Sequence, residues 1–269
     1  MEKALYLYCL AADALPAPDF QSVGLEPDAP VFVQEVRGVY AVISEIPLED
    51  YCGASSESKL GDLNWVGPRA VRHQRIIEHA MTRSPVLPAR FGTLFSTIDN
   101  LSLLIERNRE KILHFFEWVR DRSEWAVKVK VSRAELRKRL LSQELSAQSA
   151  VLEGLSAGMR YFKEKNIKAS IDANMTAKLR AVLTKSGQEF SDIAIASRKR
   201  DVVLRTSGED NRETIASWAF LIDAGRQQEL QDRVAAANLR DEEFCLSYEM
   251  TGPWPPYSFI PQLTLGAPE

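Results

Sequence analysis

The sequence predicts an α+β protein with two domains, and three observations lead to this class. The chain has 269 residues, about twice the length of an average domain. Alternating apolar residues, typical of strands, and apolar residues at helical spacing occur in both halves. From residue 124 onward these patterns follow one another as strand, helix, strand, strand, helix, strand, which is the ferredoxin-like order with one extra helix. We therefore expect domains at 1–122 and 123–269.

The first domain begins with patterns typical of strands. The segment KALYLYCLA (3–11) is apolar at both alternating sets of positions, which predicts a central strand covered on both faces. VFVQEV (31–36) and VYAVISEI (39–46) are separated only by Arg37-Gly38, which predicts a tight hairpin. The polar segment that follows, 51–64, predicts a loop.

Two amphipathic helices complete the prediction for the first domain. Apolar residues at helical spacing place them at 66–83, with Pro68 in the first turn, and at 97–119. Between them lies a rigid connector, SPVLPARFGTLF (84–95), with room for a short strand. The predicted domain is a small sheet with helices, a variant of the second domain.

The second domain opens with EWAVKVKVS (124–132), whose alternation predicts a half-solvated strand. Ser132 and Glu135 form a capping-box pattern that opens a helix to about Lys165. That helix carries a heptad-like apolar seam, formed by Leu141, Leu145, Gln148, Leu152, Leu155, Met159 and Phe162. The next helix, 173–187, or a second copy of the chain could cover this seam.

The rest of the second domain is predicted from alternation and turn residues. The predicted elements are strands at 190–206 and 213–223 around the turn SGEDN, a helix after Asp223, and a last strand at 242–250. A segment rich in proline and aromatic residues, GPWPPYSFIPQL (252–263), ends the domain as a rigid strap.

The bulk composition argues against several classes of partner. The formal net charge is -3 and the isoelectric point is near 5.8, which does not favour nucleic acid or an anionic membrane. No apolar run is long enough for a transmembrane helix, and the start does not resemble a signal peptide. The three cysteines have no ligand spacing. We expect a cytoplasmic protein without a cofactor.

The sequence offers little for catalysis. The three histidines and three cysteines show no metal-binding pattern, and the common nucleophile and phosphate-loop motifs do not occur. His73 lies on the apolar stripe of its helix, which favours a packed histidine over a general base. We therefore predict no catalytic, cofactor-binding or metal-binding residue.

Two regions are candidates for binding another protein. The first is the predicted helix 66–83, where Arg72 and Arg75 belong to a basic face beside Trp65 and Arg69; arginine and aromatic residues are common interface anchors. The second comprises the connector and the strap. The candidate residues there are Arg90, Trp254, Tyr257 and Phe259. A solvated helix face and a purely structural strap are the alternatives.

Several segments together resemble the gas vesicle protein F/L family. They are LYLYCLA, WVGPRAVRHQRIIEHAM, PVLPARFGTLF (85–95), EWAVKVKV and GPWPPYSFIP, in this order along nearly the whole chain. PVLPARFGTLF and GPWPPYSF are the most specific of these segments. F and L members share these strings, and the F member is our preferred assignment.

The resemblance implies a fold and a role. It implies two α+β domains related to the ferredoxin-like fold, and a minor structural or accessory protein that helps to nucleate and assemble the gas vesicle shell. The implied partners are the small hydrophobic shell protein and other gas vesicle proteins, and no catalysis is implied. Self-association stays open. The alternative is a ferredoxin-like enzyme or ligand-binding protein, with Arg69, Arg72, His73 and Arg90 binding an anion in a cleft between the domains.

Overall fold

The structure is a computed structural model that describes residues 2–16, 24–26, 29–52, 56–202 and 212–264. Within these ranges, nine strands and eight α-helices are present, and the strands form two sheets. This architecture confirms the α+β class. The chain divides into two compact units, Met1–Glu124 with Pro253–Glu269, and Trp125–Gly252. The last segment therefore groups with the first unit, whereas the sequence expectation assigned it to the second.

The strands of the first sheet are β1 (Lys3–Ala11), β2 (Val31–Val36), β3 (Val39–Pro47), β4 (Val86–Pro88) and β5 (Leu94–Phe95). Their order is β2-β3-β1-β4, and β5 also pairs with β1. β1 runs antiparallel to β3, β4 and β5. The hairpin predicted between β2 and β3 is confirmed, because Val36 faces Val39 and the turn residues Arg37 and Gly38 have φ of 56° and 76°.

Four helices belong to the first unit: α1 (Ser56–Gly61), α2 (Leu63–Met81), α3 (Ile98–Arg107) and α4 (Arg109–Val119). The prediction of a loop over 51–64 was wrong at α1, because polar residues can form a short helix when it packs against a longer one such as α2. Residues 53–55 lie outside the described part. The helix predicted at 97–119 is two helices, with Thr97 capping the first and Asn108 between them.

The remaining elements are β6 (Arg122–Val131), α5 (Arg133–Ala147), α6 (Ser149–Glu153), α7 (Ala157–Ser191), β7 (Ala196–Lys199), β8 (Glu213–Asp223), α8 (Gln227–Arg240) and β9 (Leu246–Trp254). Their strands form the second sheet in the order β7-β8-β6-β9, which repeats the strand order of the first sheet. Along the chain, these elements have the predicted βαββαβ order, with additional helices after β6.

The helices after β6 differ from the sequence expectation. The helix predicted to run to about Lys165 is interrupted after Ala147 and again after Glu153, and α7 then continues for 35 residues through both predicted helices. Ser132 stands at the N-cap of α5, but its side chain makes no capping hydrogen bond, so the capping-box prediction was wrong. The predicted SGEDN turn lies outside the described residues.

Each unit has its own hydrophobic core. In the second unit, the alternating apolar residues of β6 are buried among residues of α7 and β8; they are Trp125, Val127, Val129 and Val131. In the first unit, Tyr6 and Tyr8 of β1 pack against Ile77 of α2. In the part of the chain that the structure describes, no helix combines the length and apolar character needed to cross a membrane.

Candidate partner-binding surface

Helix α2 carries half of the predicted binding residues, and it begins earlier than the sequence predicts. Asp62 is the N-cap, and its carboxylate accepts a hydrogen bond of 2.9 Å from the Asn64 N–H. Because the helix starts at Leu63, Pro68 lies in the second turn rather than the first. Pro68 has no N–H, so the carbonyl four residues earlier, that of Asn64, lacks its usual helical donor.

His73 lies on the buried face of α2 and is 3% exposed. Its Nδ1 is 2.8 Å from the Tyr6 hydroxyl and its Nε2 is 3.2 Å from the Ala89 carbonyl. Because the carbonyl can only accept, Nε2 carries the proton and Nδ1 accepts from Tyr6. Burial lowers the pKa of His73 to about 4. At neutral pH this histidine is a packed, neutral residue.

Arg69 is held by a carboxylate on the same side of α2. Its guanidinium donates two hydrogen bonds, of 2.6 and 2.7 Å, to the two carboxylate oxygens of Glu26, and a third to the Trp65 carbonyl. Its Cζ lies 3.9 Å from the centre of the Trp65 ring. The Tyr51 hydroxyl donates to the same carboxylate. The hydrogen bonds that Arg69 donates to Glu26 raise the pKa of Arg69, so this arginine is already paired within the chain.

The other predicted cations lie in different settings. Arg72 donates to the Leu25 carbonyl over 3.0 Å and is half-buried. Arg75 and Arg90 are exposed, and within the described ranges neither side chain has an ion-pair partner. Because Arg69 and Arg72 have partners in the chain and His73 is neutral, these groups do not form an open anion site. The alternative of an anion-binding site is therefore not supported, because these cations do not converge on one open site.

The outer face of α2 carries an apolar stripe that the sequence analysis missed. Leu63, Gly67, Val71 and Arg75 follow one another at intervals of four residues, so they neighbour one another along the helix. Leu63 is 83% exposed and Val71 is 50% exposed. The sequence does contain a sign of this stripe. Leu63 and Val71 are apolar, but they lie off the row of apolar residues that predicts the buried face of the helix. We call Leu63, Val71 and Arg75 the α2 stripe.

The strap residues pack within the first unit. Phe259 is buried, and its ring meets that of Trp118 edge to face at 5.9 Å between centroids. Ser258 donates two hydrogen bonds to the buried Glu124, of 2.8 Å from its N–H and 2.7 Å from its hydroxyl. The Tyr257 hydroxyl lies 3.4 Å from His73 Nε2. Trp254, the last residue of β9, is half-buried.

Beyond Phe259 the chain follows α4 in the opposite direction. Lys111 donates to the Gln262 carbonyl over 3.1 Å. The buried Asn108 side chain both donates to the Thr264 carbonyl and accepts from the Thr264 N–H, at 3.0 and 2.8 Å. Asn108 also donates to the Leu104 carbonyl. This carbonyl lies in the last turn of α3, where the predicted single helix divides, so the Asn108 side chain provides a hydrogen-bond donor at the helix end. The strap is thus fixed at several points along its length.

The chain also resembles known proteins over nearly its whole length. The family described as gas vesicle synthesis protein GvpL/GvpF matches residues 4–261. The chain belongs to this family. Gas vesicle protein L of Streptomyces sp. (strain CB03234) is 26% identical over 223 residues, which cover 81% of this chain and 79% of that protein. Gas vesicle protein F of the same strain is 23% identical over 262 residues, with 95% and 98% covered.

Two solved structures confirm the fold. The crystal structure of GvpF from Anabaena sp. PCC7120 has a TM-score of 0.68 at 22% identity and covers 97% of this chain and 99% of its own. The crystal structure of GvpF from Microcystis aeruginosa has a TM-score of 0.59 at 17% identity and covers 96% and 99%. These findings support a role related to gas vesicles in a family that is structural or accessory and is not a known enzyme family.

Proposed function

We propose that this chain is a non-enzymatic accessory and minor structural protein of gas vesicles that acts in the cytoplasm at the vesicle. It takes part in nucleation and assembly of the shell by binding the hydrophobic shell protein, alongside other gas vesicle proteins. Membership of the GvpL/GvpF family supports the link to gas vesicles. The single observation that carries the mode of action is the exposed α2 stripe.

The α2 stripe has the chemistry that a hydrophobic helical or extended partner requires. Leu63 and Val71 remove apolar area from water when a partner covers them, which contributes about 25 cal/mol per Å² of buried apolar surface. Arg75, at the end of the stripe, offers a cation without a competing ion pair among the described residues. Arginine is enriched among the residues that dominate interface affinity.

The remaining predicted residues have supporting roles in this proposal. Trp65, Arg69 and Arg72 stiffen the flank of α2 through Glu26 and Leu25. Tyr257 contacts His73 on the buried side of α2 and Phe259 packs against Trp118 of α4, so both support the first unit rather than present free apolar area. Arg90 and Trp254 keep exposed surface and are secondary contacts.

The experiment is a pull-down of the purified chain with the shell protein. We compare the parent with Leu63→Glu/Val71→Glu and with Arg75→Glu. Because charges on the stripe would have to lose water against an apolar partner, we expect the double variant to weaken capture at least tenfold, a cost of about 1.4 kcal/mol or more. Circular dichroism must show that both variants stay folded, as expected for exposed positions.

A matched control separates the stripe from general effects of added charge. Leu103→Glu places one added carboxylate, against two in the double stripe variant, at an exposed leucine of α3 in the same unit, and it must leave capture unchanged. Trp254→Ala tests the strap. Loss of capture in Trp254→Ala together with normal capture in the double stripe variant would move the contact to the strap. If the parent does not capture the shell protein, the proposed function is wrong.

A further inference from the structure

A second apolar surface lies on the second unit and is unrelated to α2. Val151 of α6 and Met159 and Phe162 of α7 are 59, 60 and 66% exposed. With Leu155 they line a shallow groove that has Lys163 and Asn166 at its edge. Tyr161, next to Phe162, is also largely exposed. We call Val151, Leu155, Met159 and Phe162 the α6–α7 patch.

The interruption of the predicted long helix explains why this patch is open. α5 packs beside the middle of α7 in the opposite direction, since Arg137 pairs with Asp172, and Glu144 and Gln148 border a groove with Lys163. The first turns of α7, from Ala157 to Phe162, extend past the end of α5. The seam predicted from the sequence is therefore covered by the chain's own helices only in its first part.

We propose that the α6–α7 patch binds the same patch on a second copy of this chain, in a two-fold symmetric dimer. Met159, Phe162 and Asn166 of α7 follow one another at spacings of three and four residues, the spacing with which one helix packs along another, and Leu155 precedes them in the turn between α6 and α7. A two-fold contact requires a self-complementary surface. The apolar centre of the patch meets this requirement, because each copy offers the other the same helical row.

The charges at the border of the patch are self-complementary as well. Glu153 at the end of α6 and Lys163 on α7 are both exposed, and the described residues give neither of them an ion pair. Arg160 is different, because it already pairs with Glu164. In a two-fold arrangement, Glu153 of one copy can face Lys163 of the other. A different partner, with a mainly acidic or a mainly basic contact surface, would place a like charge against either Glu153 or Lys163.

The size of the patch sets the expected strength. Side chains of this kind, when about three-fifths exposed, offer on the order of 400 Å² per copy, below the roughly 800 Å² per partner of a standard stable interface. We therefore expect a reversible dimer that dissociates in the micromolar range. The test is sedimentation velocity of the full chain from about 1 µM to about 1 mM. The apparent mass should rise with concentration from 30.3 kDa toward twice that value.

Variants locate the contact. Met159→Glu/Phe162→Glu should keep the chain monomeric over the whole range, because the contact would bury two carboxylates without partners. Leu239→Glu is the matched control, since Leu239 is 79% exposed on α8 and lies outside the patch. It should dimerise like the parent. Melting temperatures should agree among the three proteins, because these side chains are mostly exposed.

Charge reversal tests the two-fold geometry. Glu153→Lys and Lys163→Glu should each weaken the dimer severalfold, and the double reversal should restore it. A parent that stays monomeric up to the highest concentration overturns the proposal. So does a dimer that Met159→Glu/Phe162→Glu leaves intact, because its contact would lie elsewhere. Double reversal without recovery would overturn the Glu153–Lys163 pairing. None of these experiments measures capture of the shell protein, so their outcomes are independent of the test of the α2 stripe.

Discussion

His73 links the stability of the first unit to pH. The ring is buried and neutral, with Nδ1 accepting from Tyr6 and Nε2 donating to the Ala89 carbonyl. The Tyr6 hydroxyl also accepts from the Gly92 N–H over 3.2 Å. A second proton on His73 would point at Tyr6 Oη, whose own O–H would then have to turn away. Burial and this arrangement disfavour the charged form.

The size of this change in the free energy of unfolding follows from the pKa of His73 in the folded and the unfolded chain. The unfolded chain protonates His73 near its ordinary pKa of 6.5, whereas the folded chain does so only near a pKa of about 4. Between these values the unfolded state binds more protons, so stability rises with pH in this window. The contribution is complete above pH 6.5 and is lost progressively as the pH falls to about 4. A difference of this size corresponds to roughly 3 kcal/mol.

The assay compares the parent with His73→Gln, which keeps a donor and an acceptor but does not titrate. Urea unfolding at several pH values between 7.5 and 4 gives the free energy of unfolding of each protein. Other titrating groups contribute equally to both proteins. We expect the parent to lose about 2–3 kcal/mol more than the variant across this range. Parallel pH dependences would show that His73 does not titrate as the buried contacts require.

Three further substitutions test the packing of the first unit, each by urea unfolding. Phe259→Ala should lower the free energy of unfolding by about 3–5 kcal/mol because it empties a buried aromatic site, and a loss under 1 kcal/mol would mean that the strap is not packed. Glu124→Gln should cost about 1–3 kcal/mol because an amide has one acceptor oxygen for the two donors of Ser258. Arg69→Ala should cost about 1–2 kcal/mol, since Glu26 loses a bidentate partner in a partly exposed site; an unchanged stability would show that the pair contributes nothing.

The sequence patterns predicted the strands and turns that depend mainly on residues close together in the chain. The Arg37-Gly38 hairpin follows from two strand patterns and a turn that accepts positive φ. The strand at 213–223 and the alternation of β6 likewise need only their own residues and a core on one side. The two sheets have the same strand order.

Other features depend on residues that are distant in sequence. Asn108 divides a predicted helix because its side chain binds Thr264, which lies 156 residues further along the chain. The ion pair between Arg69 and Glu26 likewise joins α2 to a segment that is distant in sequence. No residue spacing within α2 indicates this pair. Sequence periodicity identifies which residues can lie on one helix face, but it does not identify which element covers that face. For this reason the sequence can indicate apolar residues that lie off a buried face, but the structure is needed to show that those of α2 and α7 are exposed.

The strap shows how the two kinds of information combine. Its prolines and aromatic residues indicated a rigid segment, and the structure adds that Phe259 and Ser258 hold it against Trp118 and Glu124. Through Tyr257 the strap reaches His73 on the buried face of α2, directly behind the exposed stripe. If the partner binds as we propose, a strap substitution would act on binding through the position of α2 as well as through any direct contact. A substitution on the exposed side, such as Val71→Glu, changes the stripe while leaving its support intact, and for this reason the stripe variants are the sharper test of the proposed contact.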